Sequence, residues 1–545
     1  MTSAAAALVV QEAEAAVGRG PDGARVGHRL PLDSDVVELL TVGIDVGSAT
    51  FHATVSRVVC ERRAQSLSTR YDVVARELVA DSPVAFTPYL ASEDPAAADI
   101  DADAVAGAVR RFFADSGVDP EQVDSGVVLL TGSALLRHNA RALAERLAGS
   151  SGRFVCAAAG HHFEASLAAH GSGAVARSRD AGVPVVSLDV GGATTKLALA
   201  VDGEVRATAA LGVGARLLAW DRSRRLVRVE GSVLPFARGA GVEVRVGSVL
   251  DPDGADRLSE LMAAAVVGAL EPPATAGHDA VGDGVLLTAP FPVPDGPFEI
   301  VASGGVAELF GPGAGERTFD PGDLGPHLAR ALFRRLGDRG LGGRLRLGSQ
   351  RIRATVVGAS QYSTQVSGST VAADPASLPL HHVPVVRPPF DLGTPRGPDP
   401  RAVAAALAGA VRDRFVTGQV PEVVAVALGW RGEPTYRRLR ALAEGMTAGQ
   451  RDAGVPTLLV AVDADVAASL GRIARCELGA PPGAFLCLDS LDLADLDFVD
   501  VGTPLLPAKV VPVVVKSLLF GGGAPAPVPG AGPRHDGGAE RGGHP

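Results

Sequence analysis

Lysine is almost absent from this sequence. The 545-residue chain contains only three lysines, so nearly all of its 51 basic residues are arginines. None of the three lysines follows a glycine, and the Gly-Lys-Ser/Thr core of a Walker A loop is therefore missing. This absence excludes the nucleotide chemistry of P-loop proteins.

Cysteine pairs, excess positive charge and long apolar runs are also missing. The four cysteines form no C-x-x-C pair, which argues against zinc, iron–sulfur and thiol redox sites and indicates a reduced, cytoplasmic protein. A net charge of −10 leaves no basic face for nucleic acid. No apolar run reaches the roughly 18 residues of a membrane helix. We therefore expect neither a nucleic acid nor a membrane as a partner.

A short segment occurs twice in the first half of the chain. The sequence GIDVGSAT at 43–50 recurs as SLDVGGAT at 187–194, and both copies contain D-V-G-x-A-T. Each copy follows an aliphatic run, passes through a glycine-containing turn and resumes with an alternating pattern. This succession predicts a strand, a tight turn and a second strand in both places.

Each hairpin carries groups that suit a phosphate chain. Turn glycines let backbone N–H groups approach phosphate oxygens, and an aspartate at the strand end can hold the water shell of Mg²⁺. One such turn is more often purely structural, whereas two copies at domain-scale spacing predict two similar lobes around one phosphate chain. The aspartates are Asp45 and Asp189, and the residues predicted to bind phosphate are Gly47, Ser48, Thr50, Gly191, Gly192 and Thr194.

The remaining pattern is α/β. Helical spacing at 101–115 and 134–147 alternates with strand-like runs at 126–131 and 153–158, and 204–211 continues the second hairpin as a third strand. A later strand enters the turn Ser303-Gly304-Gly305, which either lets a base or ribose approach the backbone or is only a turn. Apolar runs at 421–429, 456–463 and 484–490 predict a further α/β region.

Taken in this order, the two loops and the Ser-Gly-Gly turn resemble the actin/Hsp70/sugar-kinase ATPase superfamily. The resemblance implies duplicated actin-like, ribonuclease H-like α/β lobes that bind ATP and Mg²⁺. Asp45 and Asp189 would then be catalytic carboxylates associated with the metal, and Gly304 and Gly305 would form the adenosine loop.

Two further residues follow from this superfamily resemblance. A helix before the second phosphate loop often carries the residue that orients the attacking water, and Glu164 is the only acid between residues 157 and 169. Glu164 is therefore either that catalytic residue or a solvated helix residue. Lys196, two residues past the second turn, either adds positive charge or faces solvent.

Ordered blocks between residues 41 and 520 also resemble the reactivating factors of ethanolamine ammonia-lyase, the EutA family. The blocks lie at 124–149, 157–174, 211–218, 355–370 and 510–520. Two positions depart from the family pattern. Ala49 stands where many relatives have a hydroxyl residue, and Ala193 stands where the second loop often has a third glycine.

The family resemblance implies a chaperone-like ATPase whose partner is ethanolamine ammonia-lyase, an adenosylcobalamin enzyme. It would use ATP to release damaged cobalamin so that adenosylcobalamin can rebind. It implies a cytoplasmic protein and leaves open a homo-oligomer and an association with an ethanolamine-utilisation microcompartment. The alternatives are a small-molecule kinase on the same scaffold and an actin-like scaffold or filament ATPase.

The sequence predicts five regions along the chain. They are a flexible leader (1–40), a first actin-like lobe (41–182), a second lobe with the adenosine loop (183–375), a C-terminal α/β region (376–520) and a disordered tail (521–545).

Overall fold

This computed structural model describes most of the chain between residues 36 and 516. The described residues are 36–62, 71–90, 98–132, 134, 137–152, 155–271, 285–310, 322–362, 364–368, 372–389, 392, 397–415, 420–491, 493, 498–505 and 510–516. The predicted tail and residues 1–35 of the predicted leader lie outside them. Residues 36–40 were predicted as leader but are the first residues of a buried strand.

The first lobe is a twisted sheet covered by helices. Its strands are β1 (Val36–Val46), β2 (Thr50–Arg62), β3 (Tyr71–Asp81), β4 (Ala85–Phe86), β5 (Ser125–Leu130) and β6 (Val155–Ala159). They run in the order β3-β2-β1-β5-β6, with β4 paired to β2. The pairs among β1, β2 and β3 are antiparallel, and those of β1 with β5 and β5 with β6 are parallel.

Two helices of this lobe, α1 (Ala102–Ser116) and α2 (Ala140–Ser150), bury their apolar faces against the sheet. Asp101 caps α1 by accepting a hydrogen bond from the backbone N–H of Ala104 at 3.0 Å. Gly117 ends the helix in the left-handed conformation, with φ of 67°. Local sequence therefore determines where this helix begins and ends.

The second lobe repeats the topology of the first. Its main strands are β7 (Val185–Val190), β8 (Thr195–Val201), β9 (Glu204–Leu211), β12 (Glu299–Ser303) and β13 (Leu345–Leu347), in the order β9-β8-β7-β12-β13. As in the first lobe, a three-stranded antiparallel meander joins two parallel strands through its first strand. The predicted duplication of the α/β lobe is confirmed.

Among the residues described between β9 and β13, the second lobe carries a small two-stranded sheet and three α-helices. These elements are β10 (Leu218–Trp220), β11 (Leu226–Val229), α5 (Leu234–Ala240), α6 (Pro252–Gly268) and α7 (Gly325–Asp338). Helices α6 and α7 pack on each other and enclose one large apolar core with β7, β8 and β12. This core supports the end of β7 at which Asp189 lies.

Three further helices lie along the chain before and after the second sheet: α3 (His161–Gly171) and α4 (Ala174–Ala181) precede β7, and α8 (Ala354–Tyr362) follows β13. Phe163 and Leu167 on α3 pack against β5 of the first sheet. Ala165 and Ala169 pack against β7 and β8 of the second sheet. Because α3 contacts both sheets, a polar residue on it can reach the space between the lobes.

Helix α8 belongs by packing to the first lobe, although the sequence placed residues 354–362 in the second. The hydroxyl oxygens of Ser360 and Ser56 on β2 are 2.8 Å apart. A Cβ at Gly358 would overlap the backbone carbonyl of Leu167 on α3. The chain thus returns to the first sheet before residue 375, where the second lobe was predicted to end.

The C-terminal region forms a third sheet. Its strands are β14 (Thr364–Val366), β15 (Leu380–Val386), β16 (Val423–Leu428), β17 (Thr457–Val462), β18 (Phe485–Asp489), β19 (Phe498–Val501) and β20 (Pro512–Lys516), and its helices are α9 (Pro400–Arg414), α10 (Tyr436–Asp452) and α11 (Ala467–Cys476). The order is β14-β20-β19-β15-β16-β17-β18. The predicted additional α/β region is confirmed. Its sheet also includes β14, which the sequence assigned to the second lobe.

Candidate functional site in the cleft between the lobes

The two repeated aspartates occupy equivalent places in the two sheets. Asp45 is the penultimate residue of β1 and Asp189 the penultimate residue of β7, and both strands are central in their sheets. Both residues are buried. The antiparallel register pairs Asp45 with His52 and Asp189 with Lys196. The repeat thus gives two symmetric strand ends with different neighbours.

Each aspartate is held by a hydroxyl from the adjacent parallel strand. Thr131, directly after β5, donates to Oδ1 of Asp45 at 3.0 Å. Ser303, at the end of β12, donates to Oδ1 of Asp189 at 2.7 Å. The repeated hairpin motifs contain neither of these two positioning residues. The sequence feature that could have predicted them is a hydroxyl residue at the carboxyl end of the strand next to each aspartate.

The carboxylates of the cleft interact with one another. Burial, followed by the negative charge of Glu164, raises the pKa of Asp45 to about 8, and the charge of Asp189 adds to this. Burial also raises the pKa of Asp189 to about 6, although the hydrogen bond from Ser303 opposes the shift. The structure therefore brings together all three predicted catalytic residues, Asp45, Glu164 and Asp189.

Glu164 and Lys196 form a buried ion pair. Nζ of Lys196 lies 2.7 Å from Oε2 of Glu164, and the two residues are 1% and 8% exposed. Nζ also donates to the hydroxyl of Thr194 at 2.5 Å. The alternatives of a solvated Glu164 and a solvent-facing Lys196 are both wrong, because α3 and β8 bury these side chains between the lobes.

Both glycine turns close in the same way. The N–H of Gly47 donates to the carbonyl of Thr50 at 2.9 Å, and the N–H of Gly191 donates to that of Thr194 at 3.0 Å. The two hairpins also approach each other, since a Cβ at Gly192 would lie 2.7 Å from the Cβ of Ala49. This close approach requires glycine at 192.

The two alanines that depart from the family pattern lie where the hairpins meet other cleft elements. Ala49 faces Gly192, and the Cβ of Ala193 would lie 3.2 Å from a Cβ at Gly132. Ser48 is buried beside Gly132, and its backbone carbonyl accepts hydrogen bonds from the hydroxyl of Tyr89 at 2.9 Å and from Arg228 at 2.8 Å. Both donors lie outside the repeated motifs, so the repeat could not predict them.

The backbone conformation and close packing of the Ser-Gly-Gly turn require glycine at its first glycine position, 304. Gly304 has φ of 84°, and a Cβ there would overlap the backbone of Val190 on β7. Gly305 directly precedes a short 3₁₀ helix, Val306–Leu309. The contact of Gly304 and Gly305 with adenosine stays a prediction.

The carboxylates suit a metal that keeps most of its water. Within the described ranges, no three His, Cys, Asp or Glu side chains are arranged to hold a metal ion by themselves. Mg²⁺ commonly uses one or two carboxylates together with waters and substrate phosphates. Three acids facing one lysine leave negative charge that such a cation would balance, so Asp45 and Asp189 fit this mode.

Two topologically equivalent lobes, each with an aspartate–glycine hairpin in a shared cleft, define the chain as a protein of the actin-like ATPase fold. The family described as "Ethanolamine utilisation protein EutA" matches residues 37–521. The chain belongs to this family.

Curated relatives span nearly the same length. The "Ethanolamine ammonia-lyase reactivase EutA" proteins of Salmonella typhimurium strain LT2 and Escherichia coli strain K12 are each 32% identical, covering 89% of this chain and 99% of the relative. The solved Aquifex aeolicus PPX-GPPA enzyme is 13% identical, with a TM-score of 0.34, over 59% of this chain and 100% of that one. The fold assignment rests on strand order rather than on that similarity.

No helix in the part of the chain that the structure describes is long and apolar enough to cross a membrane.

Proposed function

We propose that this protein is an ATP-dependent reactivating factor that releases damaged cobalamin from inactivated ethanolamine ammonia-lyase, so that adenosylcobalamin can rebind. The observation that carries the proposal is the convergence of the two repeated hairpins, with Asp45, Glu164 and Asp189, in one cleft. The names of the two curated relatives supply the partner. They favour a reactivase over a small-molecule kinase or a filament-forming ATPase.

The cleft supplies the parts that ATP hydrolysis needs. Phosphoryl transfer to water depends mainly on positioning and on compensation of charge. In this proposal, the backbone of the hairpins and the hydroxyls of Thr50 and Thr194 hold the phosphates, and Asp45 and Asp189 hold the water shell of Mg²⁺. The metal, when bound, neutralises charge on the phosphate oxygens.

Glu164 is suited to orient the attacking water. Its Oε2 is held by Lys196, and the short helix α3 on which it lies is packed against both sheets. A residue held this way has a fixed orientation in this arrangement of the lobes. Because α3 contacts both lobes, hydrolysis that changes the lobe arrangement would also move this helix. ATP hydrolysis in the cleft could in this way change the conformation of the protein that acts on the lyase.

Reactivation can be tested directly. Ethanolamine ammonia-lyase is inactivated with cyanocobalamin and mixed with this protein, ATP, Mg²⁺ and adenosylcobalamin. We expect lyase activity to return only with ATP. The Asp189→Asn variant should lose both ATP turnover and reactivation. Asp202→Asn, the same change at an exposed turn of the same lobe, serves as the control and should retain both. Failure of the wild-type protein to restore activity would refute the proposal.

The place of action and assembly state complete the proposal. We place the protein in the cytoplasm, with ethanolamine ammonia-lyase as its macromolecular partner and neither nucleic acid nor membrane required. Co-sedimentation with the inactivated lyase, compared with the active lyase, tests the partner. Light scattering of the free protein tests for a homo-oligomer.

A further inference from the structure

Three arginines lie near the first phosphate hairpin, and we call Arg137, Arg216 and Arg228 the arginine cluster. Two of them approach the ring of Tyr89, with the guanidinium carbons of Arg137 and Arg228 at 5.0 and 5.3 Å from its centroid. Tyr89 and Arg228 both donate to the Ser48 carbonyl. The cluster therefore joins residues of both lobes at the edge of the cleft.

Arg137 and Arg228 share a carboxylate. Oε1 of Glu230 accepts a hydrogen bond from Nε of Arg228 at 2.7 Å and lies 3.8 Å from Nη2 of Arg137. Their positive charges are thus partly balanced by a neighbour within the cluster.

Arg216 differs from the other two. Its Nε lies 4.0 Å from Oδ2 of Asp323, beyond hydrogen-bond distance, and Oδ1 of Asp323 accepts from the N–H of Gly325. Within the described residues, Nε and Nη1 of Arg216 are buried and make no hydrogen bond. The guanidinium instead stacks on Phe86 of the first lobe, at 4.5 Å from the ring centroid.

The backbone ties Arg216 to the second phosphate hairpin. Its N–H donates to the carbonyl of Gly192 at 2.6 Å, and the N–H of Ala215 donates to that of Gly191 at 3.0 Å. A Cβ at Gly214 would overlap Gly192, so the strand-to-helix connection lies directly against the turn. The backbone of Arg216 is therefore anchored on the turn that is proposed to bind phosphate.

The charge of Arg216 is only partly balanced by the carboxylate of Asp323 at 4.0 Å. Burial, together with the positive charge of Arg228, lowers the pKa of Arg216, so its charged form is less stable here than in water, although Asp323 opposes the shift. The lysine of this site already contacts Glu164 and the hydroxyl of Thr194, so part of its hydrogen-bonding capacity is in use. Guanidinium groups bind phosphate through two parallel hydrogen bonds.

We propose that Arg216 is a phosphate-binding residue of the cleft, whose unbonded N–H groups take the phosphates of the nucleotide after leaving the stack on Phe86. The inference rests on the proposed function, because it concerns the same nucleotide site. It adds a residue that neither hairpin motif contains.

Binding of Mg·ATP, adenosine and inorganic tripolyphosphate to the full-length protein by calorimetry tests the inference. A hydrogen bond to a charged group corresponds to about a 10- to 100-fold change in affinity. We expect Arg216→Gln to lower the affinity for ATP and for tripolyphosphate by that factor. The affinity for adenosine should change by less than about twofold. Arg222→Gln, the same change at an exposed site of the same lobe, should leave all three ligands unchanged.

Several results would overturn the inference. Unchanged ATP affinity in Arg216→Gln while the wild-type protein binds ATP would refute it without touching the proposed function. Equal losses for ATP and adenosine would show a merely structural role. Arg216→Lys keeps the charge and should bind ATP more tightly than Arg216→Gln, so equal affinities would also refute it. Wild-type protein that binds neither ATP nor tripolyphosphate would refute both proposals.

A second measurement needs no variant. Phenylglyoxal modifies arginine side chains, and mass spectrometry can locate the modified residue. We expect ATP and tripolyphosphate to protect Arg216 from modification, and adenosine to give no protection. Equal modification with and without ATP would contradict the inference even if the variants failed to fold.

Discussion

The buried pair of Lys196 and Glu164 offers the sharpest test of how the cleft is held together. We consider Lys196→Met, which keeps the length of the side chain and removes its charge. Glu164 would then remain buried beside two other carboxylates without its 2.7 Å partner. Breaking a buried pair by removing one partner costs about 3–5 kcal/mol of stability.

The double variant Lys196→Met/Glu164→Gln separates this pair from general packing. It removes both charges, so no uncompensated charge stays buried, and it should be more stable than Lys196→Met alone. We expect a coupling free energy toward the upper end of the usual range, about 3 kcal/mol. Arg206→Met breaks an exposed 2.9 Å ion pair with Glu204 in the same lobe and should change stability little.

The assay is urea unfolding followed by tryptophan fluorescence. The chain has two tryptophans, Trp220 in the core of the second lobe and Trp430 in that of the C-terminal region. In a Trp430→Phe background, the remaining signal reports the lobe that carries Lys196. Equal midpoints for Lys196→Met and Arg206→Met, or a coupling energy near zero, would refute the reasoning.

Three further predictions follow from the contacts described above. Ser303→Ala removes a hydrogen bond that lowers the pKa of Asp189, so this pKa should rise above about 6. The acid limb of the pH profile of ATPase activity should then move up by about one pH unit. An acid limb at the same pH in the variant would contradict this role of Ser303. Gly358→Ala places a Cβ against a backbone carbonyl of α3 and should lower the free energy of unfolding in urea by about 1–3 kcal/mol. In the control Gly409→Ala, the new Cβ on α9 meets open space and should raise the free energy of unfolding by about 0.5–1 kcal/mol. Burial lowers the pKa of His52 from 6.5 to about 4, so the unfolded chain binds more protons between these values and stability should fall by up to about 3 kcal/mol as the pH drops through this window. Unfolding at pH 7 and pH 5 should show a smaller loss in His52→Gln than in the wild-type protein, and equal losses would be evidence against this assignment.

Much of the architecture could be predicted from sequence because it follows from local pattern. The repeated strand, glycine turn and strand encode their own pairing, since a hairpin is closed by hydrogen bonds between near neighbours such as Gly47 and Thr50. The α/β alternation after each hairpin likewise predicts parallel strands with helices between them. Two copies of one local pattern were therefore enough to predict two similar lobes.

The placement of helix α8 could not be predicted in the same way. Its residues follow the second lobe in sequence, yet Gly358 and Ser360 pack on α3 and β2 of the first lobe. The close helix–helix approach that Gly358 permits and the hydrogen bond between Ser360 and Ser56 decide this placement. A pattern of apolar residues along the chain shows which face is buried but not which sheet covers it.

The sequence alone determined which residues could take part in the chemistry: two aspartates at strand ends, the turn glycines and one acid before the second hairpin. Tertiary structure decided how these residues are used. It buried Glu164 against Lys196, placed the hydroxyls of Thr131 and Ser303 on the two aspartates and set Arg216 against the second turn. The physical reason is the separation along the chain of the residues that interact. A turn is specified by hydrogen bonds within a few residues, whereas the partner of a buried charge is specified by how strands and helices that are distant in sequence pack together.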